Sequence, residues 1–182
     1  AVLTRWLAKF GITDQSVEEK TADGAHGHAA GHGHGEVRDI IVLGYFRIAR
    51  AFVSYVVDLS PSLTKRIIIA DYNPAFKDEL TNQGFKWAYA DLAHPESLTH
   101  IGLHDASMVI CTISDSFLKG TNNARLLATL GKLAPNAKIV LTSDEPDDAK
   151  KLVIDGANKV IVPGVITGEF LYDYIASGMR KV

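Results

Sequence analysis

From Asp39 to about Ser177 the chain alternates between two kinds of segment, and this alternation narrows the possible folds more than any other feature. Short apolar runs rich in β-branched residues occupy 40–43, 67–70, 87–90, 107–111, 139–142 and 159–162. Each is followed by a stretch of helical character: about 48–58, then 74–84 with Asn73 as cap and Pro74 as first residue, then from Pro95, 122–133, 146–155 and about 167–177. Wholly apolar strands are strands covered on both faces, and a helix between each pair makes the strands parallel. Right-handed crossovers then give an α/β fold, a doubly wound, Rossmann-like parallel six-stranded sheet with helices on both faces. This pattern uses every residue of the span, so none remains for a second, substrate-holding domain of the kind dehydrogenases of this architecture need.

The rest of the 182-residue chain is of another character. Residues 21–35 hold five Gly, four His and four Ala, too little apolar area to offset ordering, so 21–36 is expected to be a flexible linker. Residues 1–20 begin with Val2, Leu3, Trp6, Leu7 and Phe10 at helical spacing, with Arg5 and Lys9 on the other face. Two readings stand for this segment: a short helix packed on the domain, or a juxtamembrane helix at the end of a membrane domain. The start at Ala1 rather than Met fits a piece of a longer protein. The domain proper is then 37–182.

Composition excludes several function classes. With 47% hydrophobic and 22% charged residues the chain matches a soluble globular protein. No stretch approaches the roughly 20 apolar residues of a membrane span. A net charge of −2 argues against nucleic acid as a partner. Cys111 is the single cysteine, so neither an intramolecular disulfide nor a cysteine zinc cage is available, and a reducing cytosolic setting is the simplest. It ends an apolar strand and reads as packed rather than nucleophilic. His26, His28, His32 and His34 could hold a metal only loosely, and no metal site is assigned. His100 and His104 lie four apart, but His104 is expected past the end of the short helix from Pro95. No hydrolase elbow, Walker loop or zinc-protease motif is present, and no catalytic residue is assigned.

Ligands of an open parallel sheet sit beyond the carboxyl ends of its strands. The first such loop, Gly44-Tyr45-Phe46-Arg47-Ile48-Ala49, has the frame of the dinucleotide fingerprint with Phe46 in place of the middle glycine. That glycine normally lets backbone approach a pyrophosphate, so Phe46 must obstruct the usual pose or swing away. A single-phosphate ligand such as AMP needs less close approach. The helix start still offers free N–H groups to an anion, and Arg47 adds a charge suited to phosphate. Asp71, ending strand two, could accept from both ribose hydroxyls and would repel a 2′-phosphate, which disfavours NADP. Asp91 with Leu92 after strand three, and Ser114 with Asp115 after strand four, stand where an adenine edge and a ribose could be held. Each acid could equally be a solvated loop acid, and the first turn could be an emptied nucleotide site.

Together, Gly44 to Ala49, Asp71, Ala90-Asp91-Leu92, 105–110 (Asp-Ala-Ser-Met-Val-Ile), Thr121-Asn122, the ending 156–163 (Gly-Ala-Asn-Lys-Val-Ile-Val-Pro) and Gly168 resemble the TrkA-N domain, also called RCK-N, over about 37–177. The resemblance implies a regulatory domain of potassium channels, potassium uptake systems or monovalent cation:proton antiporters, with the N-terminal segment and linker suiting the antiporter arrangement. It implies a non-enzymatic homodimer at the cytoplasmic face of a bacterial inner membrane, attached to an antiporter domain of the same chain. The ligand would be AMP or ATP, with NAD(H) next. The implied binding set is Gly44, Tyr45, Phe46, Arg47, Ile48, Asp71, Tyr72, Asp91, Leu92, Ser114, Asp115 and Asn122, with Arg47 facing phosphate, Asp71 the ribose and Asp91 near the adenine. Two other readings remain: a small NAD-dependent oxidoreductase, and a dimerisation module without ligand whose old pocket Phe46 fills.

Overall fold

The structure, a computed structural model, describes residues 37–179. The expected N-terminal helix, the linker and its four histidines lie outside the described residues. Six strands form one sheet: β1 Ile40–Leu43, β2 Ile67–Asp71, β3 Lys86–Tyr89, β4 Met108–Cys111, β5 Lys138–Thr142 and β6 Lys159–Ile161. All pairings are parallel, and the order is β3-β2-β1-β4-β5-β6. The doubly wound sheet read from the sequence is the observed one. Strand order reverses between β1 and β4, the point at which ligands of such sheets bind.

Alternation along each strand builds two cores. Ile41 and Leu43 of β1, Ile68 and Ala70 of β2, and Val109 and Cys111 of β4 face one apolar cluster. Val42, Ile67 and Ile69 face the other. Each fully buried aliphatic side chain contributes about 1.5–3 kcal/mol, so the apolar runs themselves hold the sheet. Helix α1, Arg47–Leu59, lays Ala49, Val53 and Val56 on the second cluster at helical spacing, next to Leu80 of α2, Lys77–Asn82. Helices α3 (Pro95–Leu98), α4 (Asn123–Leu133) and α5 (Pro146–Ile154) cover the first cluster with Leu98, Leu126, Leu130 and Leu152.

Several boundaries differ from the sequence reading. The expected helix from Pro74 opens as a 3-10 turn, Pro74–Phe76, because the Asn73 side chain accepts the Ala75 N–H and tightens the start. The helix from Pro95 is a single turn. Another 3-10 stretch, Pro61–Arg66, precedes β2. The last helix, α6, runs Pro163–Met179, starting earlier than expected because proline is preorganised for a first helical turn. A compact unit ends at Glu169. Beyond it the second half of α6 exposes Phe170, Leu171, Tyr172, Tyr174 and Ile175. Among the described residues no helix is long and apolar enough to cross a membrane.

Candidate functional site

Register places the carboxyl ends of the central strands level. Leu43 pairs with both Ala70 and Cys111, and Asp71 with Tyr89, so the loops after β1, β2, β3 and β4 leave the sheet side by side. Gly44 turns the chain with φ +83°, and its N–H donates to the Ala70 carbonyl at 2.8 Å. A Cβ there would stand 2.2 Å from Ile113 Cδ1, so glycine is needed both for the backbone angle and for the approach of the fourth loop. The Thr112 hydroxyl donates to the Gly44 carbonyl at 2.9 Å, tying the loops after β1 and β4 across the strand reversal.

Asp71 is 7% exposed and joins the first two loops. One carboxylate oxygen accepts the Tyr45 N–H at 2.6 Å, and the other accepts the Asn73 N–H at 2.7 Å. A carboxylate has about four lone-pair positions, so the group retains acceptor capacity after these two bonds.

Above these loops opens a cleft of about 330 Å³, at the small end of ligand sites, which run roughly 300–1,000 Å³. Tyr45, Phe46 and Arg50 line it from the first loop and α1; Asp71, Tyr72, Asn73 and Phe76 from the second; Ile113 and Phe117 from the fourth. Two arginines stand among its aromatic rings. The Arg50 guanidinium lies 4.5 Å from the Phe76 ring centroid and 5.5 Å from that of Tyr45. The Arg47 guanidinium lies 5.1 Å from the centroids of both Phe46 and Phe117, whose rings meet at 5.3 Å. The Phe46 and Phe117 rings together form one wall of the cleft. Tyr45 is buried and packs edge-on against Phe76; burial, with Glu79 beside it, pushes its phenol pKa up.

The first turn of α1 is open. Phe46 is its N-cap residue, and among the described residues no side chain caps it. An uncapped start leaves N–H donors and the positive end of the helix dipole for an anion. Helix α4, by contrast, is closed by its own chain. Asn122 Oδ1 accepts the Arg125 N–H at 2.9 Å, and an Asp115 oxygen accepts the Asn123 N–H at 2.6 Å. The buried Asn123 amide donates to the carbonyls of Ile113 and Thr142, at 3.2 and 3.0 Å.

The residues expected to bind thus divide. Tyr45, Phe46, Asp71 and Tyr72 line the cleft, with Gly44, Arg47 and Ile48 in the turn and helix start that frame it. Asp115 and Asn122 are occupied as caps of α4. Ser114 is buried, and its carbonyl accepts the Phe117 N–H at 2.9 Å. Asp91 accepts the Ala93 N–H at 3.0 Å and faces His94 at 2.9 Å, contacts that lower its pKa, the backbone bond most. Leu92 belongs to a separate groove with Pro95, Thr121 and Arg125. Arg50, Asn73, Phe76, Ile113 and Phe117 were not marked by the sequence reading. The one available signal was an aromatic residue, Phe117, in a loop at the ligand end of the sheet. Cys111 is fully buried, and burial pushes its thiol pKa to about 12. Among the described residues no cluster of metal-ligating side chains occurs.

This fold has counterparts in known proteins. The sequence model of the TrkA-N domain matches residues 40–163. The chain belongs to the TrkA-N domain family. Its fold is similar to that of the TrkA-N domain of the inner membrane protein YbaL from Escherichia coli, at 17% identity and TM-score 0.63, covering 76% of this chain and 96% of that one. A similar fold occurs in the NAD(P)-binding domain of an exopolyphosphatase-related protein from Archaeoglobus fulgidus, at 19% identity and TM-score 0.61, covering 77% and 98%. The RCK domain of GsuK matches at 25% identity and TM-score 0.54 over 72% of this chain and 27% of that one. The GsuK channel bound to NAD matches at 24% and 0.53, where this TrkA-N chain spans 22% of the channel's length. No curated protein matches the chain.

Proposed function

We propose that this TrkA-N domain is a regulatory module without catalysis of its own, which binds an adenine nucleotide and thereby gates a monovalent cation (K⁺ or Na⁺)/proton antiporter. The observation that carries the reading is the cleft itself. An uncapped helix start, Arg50, a buried carboxylate and five aromatic rings converge on one opening at the strand reversal, with Arg47 stacked on two of those rings. Phosphate suits the open end of α1 with Arg47 and Arg50. Ribose hydroxyls suit the remaining lone pairs of Asp71, and its charge disfavours the 2′-phosphate of NADP. Adenine suits the aromatic walls, where a flat base stacks. Support comes also from the GsuK structures, one bound to NAD and another to ADP. AMP or ATP heads the candidates, with NAD(H) next.

The domain would work as a homodimer, joined to an antiporter domain of the same chain at the cytoplasmic face of a bacterial inner membrane. Nucleotide binding one of two dimer arrangements more tightly would shift their populations and so the transporter's. Calorimetric titration of the 182-residue chain with AMP, ADP, ATP, NAD⁺ and NADH tests the ligand part. Binding of at least one is expected; no binding of any at millimolar concentration would leave the domain as a dimerisation module only.

A further inference from the structure

We propose that Phe46 and Phe117 together set the ligand class by closing the strand reversal, so that the cleft accepts a single adenine nucleotide and rejects a dinucleotide. This rests on the nucleotide reading of the cleft. In a doubly wound sheet a dinucleotide spans the point where strand order reverses, with one half on each side. Here that point lies between β1 and β4. Phe46 follows β1 and Phe117 follows β4, so the contact of their rings at 5.3 Å is a bridge across the crossing a pyrophosphate would take.

The bridge is built on anchored parts. Phe46 is the N-cap of α1 with extended backbone. Phe117 sits in a turn where the Ser114 carbonyl accepts the N–H groups of Phe117 and Leu118, at 2.9 and 3.2 Å. The Ser116 hydroxyl beside it donates to Asp144 at 2.6 Å, and the Thr112 hydroxyl fixes the loop's start to Gly44. Arg47 stands 5.1 Å from both ring centroids and ties them together by cation–π attraction. Both rings are partly exposed, at 38% and 48%, so neither is fixed in place as a core residue. Everything else that lines the cleft, apart from Ile113, comes from the β1–β2 side. The aromatic bridge is thus its wall towards β4, and the cleft of about 330 Å³ lies mainly on the β1–β2 side of it.

The test is calorimetry on the full chain with AMP and NAD⁺, in the wild type, Phe117→Ala and Phe46→Gly, each checked for folding by circular dichroism. Wild type is expected to bind AMP at least about tenfold more tightly than NAD⁺. Phe117→Ala opens the wall and is expected to remove most of that difference by strengthening NAD⁺. Phe46→Gly, which restores the small residue of the fingerprint, gives a second route to the same result should Phe117→Ala fail to fold. Equal wild-type affinity for AMP and NAD⁺ would overturn the inference while leaving the nucleotide reading intact. Folded variants that keep the wild-type discrimination would also overturn it. A wild type that binds neither overturns the nucleotide reading and this inference with it.

Discussion

Helices α1 and α4 start on either side of the strand reversal, one after β1 and one after β4, and their first turns are completed in opposite ways. Helix α4 spends its own polar groups on its N-terminus: Asn122 and Asp115 each accept one of its early N–H groups. Helix α1 starts from Phe46, and among the described residues no side chain caps it. The same fold element is closed by side chains in one place and left uncapped in the other. The difference shows where binding capacity remains. A polar N-cap residue takes up early N–H groups of its helix, whereas an apolar residue at an N-cap leaves them over.

The largest expected effect comes from the turn that holds the open end in place. Gly44→Val adds a Cβ against Ile113 to a backbone at φ +83°. It should cost roughly 2–4 kcal/mol, read as a lower urea midpoint. Next is Asp71→Asn, which sets an amide N–H₂ against one of two backbone N–H donors. A loss of about 1–3 kcal/mol is expected by the same measurement, because one buried donor goes unmet, together with weaker nucleotide binding. A midpoint equal to wild type would mean that the carboxylate does not hold the two loops.

A pair of substitutions addresses the comparison itself. Asn122→Ala should lower stability by about 1 kcal/mol through the lost cap and leave AMP affinity unchanged. Phe46→Asp, which gives α1 the kind of cap α4 has, should raise the stability of the free protein by about 0.5–1 kcal/mol while weakening AMP by placing a carboxylate in the anion seat. If Asn122→Ala weakens AMP as much as Phe46→Asp does, the two helix starts do not differ as described.

The smallest effect lies away from the cleft. Arg66 grips Asp39 with two bonds, at 2.8 and 2.6 Å, and holds its carboxyl pKa at about 2 against an ordinary 3.8. The folded value is the lower one, so the contribution is fully present above 3.8 and is lost as pH falls towards 2. Wild type should therefore lose stability more steeply than Asp39→Asn across that interval in acid titration. Arg66 is largely exposed, so the difference is expected to be slight.

The sheet was legible in the sequence because its strands are short apolar runs, those of β1 and β2 almost wholly buried, a pattern that depends only on neighbouring residues. Gly44, Asp71 and the missing glycine at Phe46 were legible for the same reason, since each belongs to a local turn. For Asp115 and Asn122 a sequence marks a polar loop residue without showing the N–H that each already accepts. Arg50 could not be read, and Phe117 showed only as an aromatic residue in a loop at the ligand end of the sheet. Phe117 matters only because the loop after β4 meets the loop after β1. Arg50 is indistinguishable in sequence from any exposed helix cation until α1 turns it to Phe76. The boundaries that shifted, at Pro74 and Pro163, are proline starts, the first a 3-10 turn that differs from an α-helix by one hydrogen-bond register and the second an α-helix that begins earlier than expected.

The most direct test compares AMP with adenosine on the full chain at low ionic strength, because the two ligands differ only in the group assigned to the open end of α1. AMP should bind at least about tenfold more tightly, a difference of about 1.4 kcal/mol, and should lose most of that advantage in Phe46→Asp. Equal affinities for AMP and adenosine, or an advantage that Phe46→Asp leaves intact, would contradict the assignment of α1 as the phosphate seat.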